Sequence, residues 1–177
     1  MQANAVLLGA LLMAAPVFSQ PAKWLDPRVE AGRFEWVHLL ERESEVRAQL
    51  GQPPLVADAD PYRSWQYRFG EGLDHDDFSH ALLFRKSDGA LVSISRSYSE
   101  PRMADEWFPR AETKVYVLKV EGQAPFPMRV RRLGGGTLLL APGSSEWGKP
   151  VQQVVLIHES VLARFYPALA EQTGGSK

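Results

Sequence analysis

The sequence predicts an α+β fold: antiparallel sheet built from two meanders, with short helices before it and a helix after it. Trp65, Tyr67 and Phe69 alternate with Gln66 and Arg68, the period of a half-buried strand, and two further strand-like runs at 78–86 and 90–98 flank Ser87-Asp88-Gly89. A second β region pairs residues 128–133 with 137–141 across Gly134-Gly135-Gly136, followed by an apolar run at 151–157 suited to a strand buried on both faces. The helical signals stand at the ends of this series of strands, not between them, which separates α+β from an alternating α/β pattern.

Taken in order, residues 5–15 form an unbroken apolar run closed by Pro16, with Val17-Phe18-Ser19 offering small residues before Gln20. This pattern predicts a signal peptide over 1–19, although residues 1–4 carry no Lys or Arg; the other reading is a buried N-terminal helix. Residues 20–32 read as a tail, with a helix start at Asp26-Pro27 that Gly32 interrupts. Residues 33–171 read as a single domain, with a subdivision possible near 100–112, and 172–177 as a frayed tail. Phe34, Val37 and Leu40 recur at helical spacing and predict a helix over 33–42. Ser44 caps a second helix with Val46 and Leu50 buried, ended by Gly51 and Pro53-Pro54. Residues 55–62 read as a loop with turn chemistry at Asp60-Pro61.

In the first meander a Ser87-Asp88-Gly89 loop places Phe84 opposite Val92, Leu82 opposite Ile94, His80 opposite Arg96 and Phe78 opposite Tyr98. The apolar members then share one face, whereas a one-residue slip sends them to the wrong one. Trp107-Phe108, between Pro101 and Pro109, tucks back onto the core. Tyr116, Leu118 and Val120 line one face of a strand. Val130 faces Leu140. Ser160 caps a closing helix that buries Val161, Leu162, Phe165 and Leu169, with Pro167 interrupting it.

The chain has 177 residues, a formal charge of -1 and no cysteine. Near-neutral charge argues against a general nucleic-acid binder, which needs many phosphate-neutralising cations. Absence of cysteine leaves no lipid-attachment site and no disulfide, even in an oxidising compartment. No apolar run after the signal segment is long enough to span a bilayer as a helix.

A short helix ending in Val46-x-x-x-Leu50-Gly51-x-Pro53, then Pro61-Tyr62-x-x-Trp65-x-Tyr67, then a hairpin around Asp88-Gly89 resembles two groups of exported bacterial proteins. One is the SmpA/OmlA (BamE-like) helix-plus-meander domain; the other is the tail of GWxTD-type exported proteins. The resemblance covers residues 40–98. It implies export and an α+β fold and carries over no catalytic residue. The lipidation cysteine of the first group and the Gly-Trp-x-Thr-Asp segment of the second are absent, and residues 112–170 match neither.

Asp74-His75-Asp76-Asp77, with Glu71 and His80, is the densest ligand-like cluster. Its carboxylates and imidazoles suit Ca²⁺ or Zn²⁺, but the spacing fits no EF-hand, and a solvated acidic loop is the simpler reading. Arg129 and Arg131 share one strand face, with Arg132 on the other and Lys114 and Lys119 nearby; guanidinium forks suit carboxylates and phosphates, and a solvated face protecting an edge is the simpler reading. His158-Glu159 lacks the second histidine of a zinc protease, since Leu162 stands in its place, and Gly143-Ser144-Ser145 is not a nucleophile elbow. Trp24, Trp36, Trp65, Trp107 and Trp147 read mostly as core. No motif calls for a cofactor.

Together these features point to an exported, non-enzymatic domain, periplasmic or extracellular and not lipid-anchored, that binds a protein or another envelope component. The contact surface expected is a strip around Trp65, Tyr67 and Arg68, the Arg129–Arg131 face, or a free sheet edge. The alternative is a small periplasmic enzyme or ligand-binding protein whose cleft, between the two β regions, uses His158, Glu159, Arg131 or the His75/His80 loop.

Overall fold

The computed structural model describes residues 29–30, 33–34, 37–69, 78–120, 122 and 124–174. Its strands are β1 (Val29–Glu30), β2 (Arg33–Phe34), β3 (Val37–His38), β4 (Leu55–Ala59), β5 (Tyr62–Phe69), β6 (Phe78–Arg85), β7 (Ala90–Arg102), β8 (Thr113–Leu118), β9 (Phe126–Gly134), β10 (Thr137–Pro142) and β11 (Val151–His158). Helix α1 (Glu43–Leu50) precedes β4, and a 3-10 turn (Glu159–Val161), α2 (Leu162–Phe165) and α3 (Pro167–Thr173) follow β11. One antiparallel sheet takes eight of the strands in the order β4-β5-β6-β7-β11-β10-β9-β8, and β1, β2 and β3 form a small sheet of their own. The class is α+β, mostly sheet. The signal segment, Asp26-Pro27, Trp24 and Trp36 lie outside the described residues.

The helix expected over 33–42 is not formed. Residues 33–34 and 37–38 are strands, and Leu40 has a positive φ of 72°. The cause is a backbone partner elsewhere in the fold. β11 leaves β7 at Ile157↔Ser93, and the next stretch of β7 pairs with residues 40–43 instead. Leu40 N–H donates to Leu91 O at 2.7 Å, Leu91 N–H to Glu41 O at 2.8 Å and Glu43 N–H to Gly89 O at 3.0 Å. Backbone bonds to a strand distant in sequence outweigh a helical propensity that amounts to tenths of a kcal/mol per residue. Val29 and Glu30, expected in a tail, pair with Phe34 and Arg33. Residues 172–173, also expected in a tail, close α3.

α1 forms where the Val46/Leu50 spacing places it, with both side chains buried. Its cap is Arg42 rather than Ser44, and Glu45 reaches back to accept from Arg42 N–H at 2.7 Å. Residues 55–59, expected as loop, form β4, joined to β5 through a turn at cis Asp60-Pro61. All five β4 residues are exposed, so no apolar alternation marked the strand.

The β6/β7 hairpin keeps the expected register over its outer part, with Leu82↔Ile94, His80↔Arg96 and Phe78↔Tyr98. Near the turn a bulge shifts it, pairing Phe84 with Leu91 and Arg85 with Ala90, so residues 86–89 form the loop and Gly89 takes φ +69°. The bulge also moves Val92 off the face expected for it. Leu91 joins Phe84, Trp65, Leu82 and Ile94 in one cluster, while Val92 joins Met128, Val130, Leu138, Leu140, Val155 and Ile157 in the other.

These clusters are the two faces of the sheet. Consecutive residues of β10 and β11 divide between them: Leu139, Val154 and Leu156 go to the first, Leu138, Leu140, Val155 and Ile157 to the second. α1 and Trp107-Phe108 cover the first face; Val161, Leu162, Leu169 and Ala170 cover the second. Each fully buried aliphatic side chain contributes about 1.5–3 kcal/mol, so both faces need a cover. β11 is central, as its apolar run predicts. Tyr166 separates α2 from α3 ahead of Pro167. The cap of the closing segment is His158, whose Nδ1 accepts from Ser160 N–H, rather than Ser160. Phe165, expected in the buried stripe, is 40% exposed and rests against the Tyr62 ring at 5.1 Å.

Candidate functional site

β5 carries the proposed contact strip, and its aromatic members face inward. Trp65 is fully buried against the Phe84 ring, centroids 4.5 Å apart, with the Arg47 guanidinium 5.0 Å from the ring centroid. Tyr67 is buried beside it and donates to Gly51 O at 3.1 Å; burial pushes its hydroxyl up to about 12. Neither offers a surface to a partner. Arg68 lies on β5, in register with Ser79.

His80, the member of the metal-ligand candidates that falls among the described residues, is buried in the core. Arg96, itself fully buried, donates from Nε to His80 Nε2 at 2.6 Å. Burial and then the Arg96 charge hold His80 well below the usual imidazole range, so it is a neutral acceptor. Asp74, His75, Asp76 and Asp77 lie outside the described residues. Among the described residues no three His, Asp or Glu side chains converge as metal ligands would.

Arg129 is not on a solvated face. It is fully buried and clamps two loops: Nε donates to Ser144 Oγ and Nη1 to Asp105 Oδ1, both at 2.7 Å, and Nη2 to Lys149 O at 3.2 Å. Its guanidinium lies 5.5 Å from the Phe108 centroid and 5.8 Å from that of Trp147. Desolvation pushes the Asp105 carboxyl up, but the bonds from Arg129 and Gly148 N–H outweigh it and leave the group below its usual value. Arg131, two residues along on the same face, bonds Glu112 and Trp107 O. Arg132, on the other face, approaches Thr173 O and Glu159. The arginine pattern therefore marks internal staples that hold residues 104–112 and 143–149 against the sheet.

His80, Arg131 and His158 are not brought together. His158 caps the 3-10 turn and bonds Ser160 Oγ at 2.8 Å, Arg131 serves Glu112, and His80 serves Arg96. An open cleft of about 550 Å³ lies instead between α1, β5 and the β6/β7 turn, lined by Arg42, Glu43, Arg47, Arg63, Lys86 and Asp88. Its charges largely answer one another. Arg63 bridges Glu43 at 3.1 Å and Asp58 at 2.9 Å, Lys86 holds Asp60 at 2.7 Å, and Arg85 holds Asp88, lowering the Asp88 carboxyl to about 2.

What remains open is the sheet itself. Among the described residues β4 and β8 each pair on one side only. β8 exposes Lys114, Val115 and Val117. The Tyr116/Leu118 alternation marks β8 as a strand, but edge position depends on strand order, which no local pattern reveals. No family model, no curated protein and no solved structure matches the chain.

Proposed function

We propose that this chain is an exported bacterial domain, non-enzymatic, that binds a secreted or envelope protein by adding an extended segment of it to a sheet edge. The sheet is read as two four-strand meanders, β4–β7 and β8–β11, joined where β7 meets β11, so that each meander leaves one outer strand. The observation that carries the reading is β8: an outer strand whose next neighbour is missing among the described residues and whose valines are exposed. Main-chain bonds to such an edge supply affinity, and side-chain alternation supplies specificity. The apolar leader over 1–19 and the resemblance of residues 40–98 to exported domains support a periplasmic or extracellular location.

The test has two parts. Fractionation and N-terminal sequencing are expected to find the mature chain outside the cytoplasm, beginning at Gln20. A photo-crosslinker at Val117 is expected to yield an adduct with one discrete envelope or secreted protein, where the same group at Glu106 yields none. A chain retained in the cytoplasm at full length refutes export; equal labelling from both positions refutes the edge.

A further inference from the structure

We infer that β8 takes up an extended segment in which apolar residues alternate with Asp or Glu, an inference that rests on reading a sheet edge as the contact surface. The outward backbone groups follow from the ladder. Pro127 O accepts from Gly143 N–H at 2.8 Å, so Pro127 turns toward β10, and its β8 partner Val117 turns its own N–H and C=O away from the sheet. The unshifted register gives Val115 and Thr113 the same direction. Gln172 Nε2 reaches Val117 O at 3.4 Å, the one side-chain bond to these groups among the described residues.

Side chains define the chemistry of the incoming strand. Val115 and Val117, 38% and 53% exposed, lie on one face and ask for apolar neighbours. Lys114 projects on the other face, and Lys119 follows the strand; neither has an ion pair among the described residues. Residues 113–120 read Thr-Lys-Val-Tyr-Val-Leu-Lys-Val, with no carboxylate. Opposite charges across a strand pair stabilise it and like charges oppose it, so acidic residues complete this edge. A second copy of β8 does not, because it brings both copies' lysines into one ribbon without a carboxylate between them. β4, the other edge, is a poorer acceptor: it lies between Pro53-Pro54 and Asp60-Pro61, and Asp58 is already tied to Arg63 and Lys86.

The experiment titrates the chain with a soluble peptide alternating valine and glutamate, followed by calorimetry and backbone amide NMR. Shifts are expected at residues 113–120, with the Val115 and Val117 amides protected from exchange. Lys114→Glu with Lys119→Glu is expected to weaken binding about tenfold, and added salt to weaken it as well. Val115→Pro removes an outward N–H without touching the β8/β9 ladder and is expected to abolish binding; the charge reversal decides the matter should that variant fail to fold. A valine–lysine peptide that binds equally well overturns the acidic class and leaves the edge reading intact. Shifts at residues 55–59 overturn β8 and still leave a sheet edge in use. Shifts at neither edge refute both, and dimerisation through residues 113–118 without peptide binding assigns the edge to a second copy.

Discussion

Arg129 is fully buried, and its guanidinium bonds three loop residues, Ser144, Asp105 and Lys149. Removing Arg129 leaves Ser144, Lys149 O and the part-exposed Asp105 carboxylate without their donor, so Arg129→Ala is expected to lower stability by about 2 kcal/mol in urea unfolding. A loss below about 1 kcal/mol refutes the clamp. His80 titrates in the opposite sense to a stabilising cation. Burial and Arg96 lower its pKa in the fold, so the unfolded chain binds the proton more readily. Its contribution is therefore complete above the unfolded value of about 6.5 and declines as pH falls from there toward the lower folded value. His80→Gln is expected to flatten the fall in stability between about pH 7 and pH 5; an unchanged profile assigns that fall to another group.

At the scale of elements, the bulge in β7 makes neighbouring residues core on opposite faces. Leu91 and Val92 are both fully buried, a pattern that regular alternation in a one-sided hairpin forbids. Leu91→Ala and Val92→Ala are each expected to cost about 2 kcal/mol in thermal or urea unfolding. A near-neutral Val92→Ala puts that side chain in solvent and removes the bulge. The outer part of this hairpin, α1, the turn at residues 134–136 and the Pro167 interruption were all legible, because each depends on a local period or a local turn residue. β4 was not legible, since an all-exposed edge strand has no buried face to impose alternation. The segment 33–42 was misread because residues 33–34 and 37–38 pair in the small β1-β2-β3 sheet, while Leu40 and Glu41 bond Leu91, some fifty residues away by the numbering.

At the scale of the molecule, β7 and β11 join the halves of the sheet through a long antiparallel pairing. A boundary near 100–112 predicts separable subdomains; the continuous sheet, with Trp107 and Phe108 packed into the cluster that spans it, predicts a single unfolding transition. Circular dichroism and tryptophan fluorescence are expected to report coincident denaturation midpoints, and separated midpoints refute a single cooperative unit. The candidate site was legible only as a category. Free edges were anticipated, but the Trp65 strip and the Arg129–Arg131 face drew attention for residue types that the fold uses internally.

The sequence by itself determined the α+β class, the strands with a strong period of two, the helix at Val46–Leu50 and the central place of residues 151–157, because local periodicity follows directly from which side chains must leave water. Tertiary structure alone decided which arginines are buried, which face receives Val92, and which strands end the sheet. Those outcomes depend on partners distant in sequence: loops folding over Arg129, the β9–β11 side chains that receive Val92, and the meeting of β7 with β11 that leaves β4 and β8 outermost.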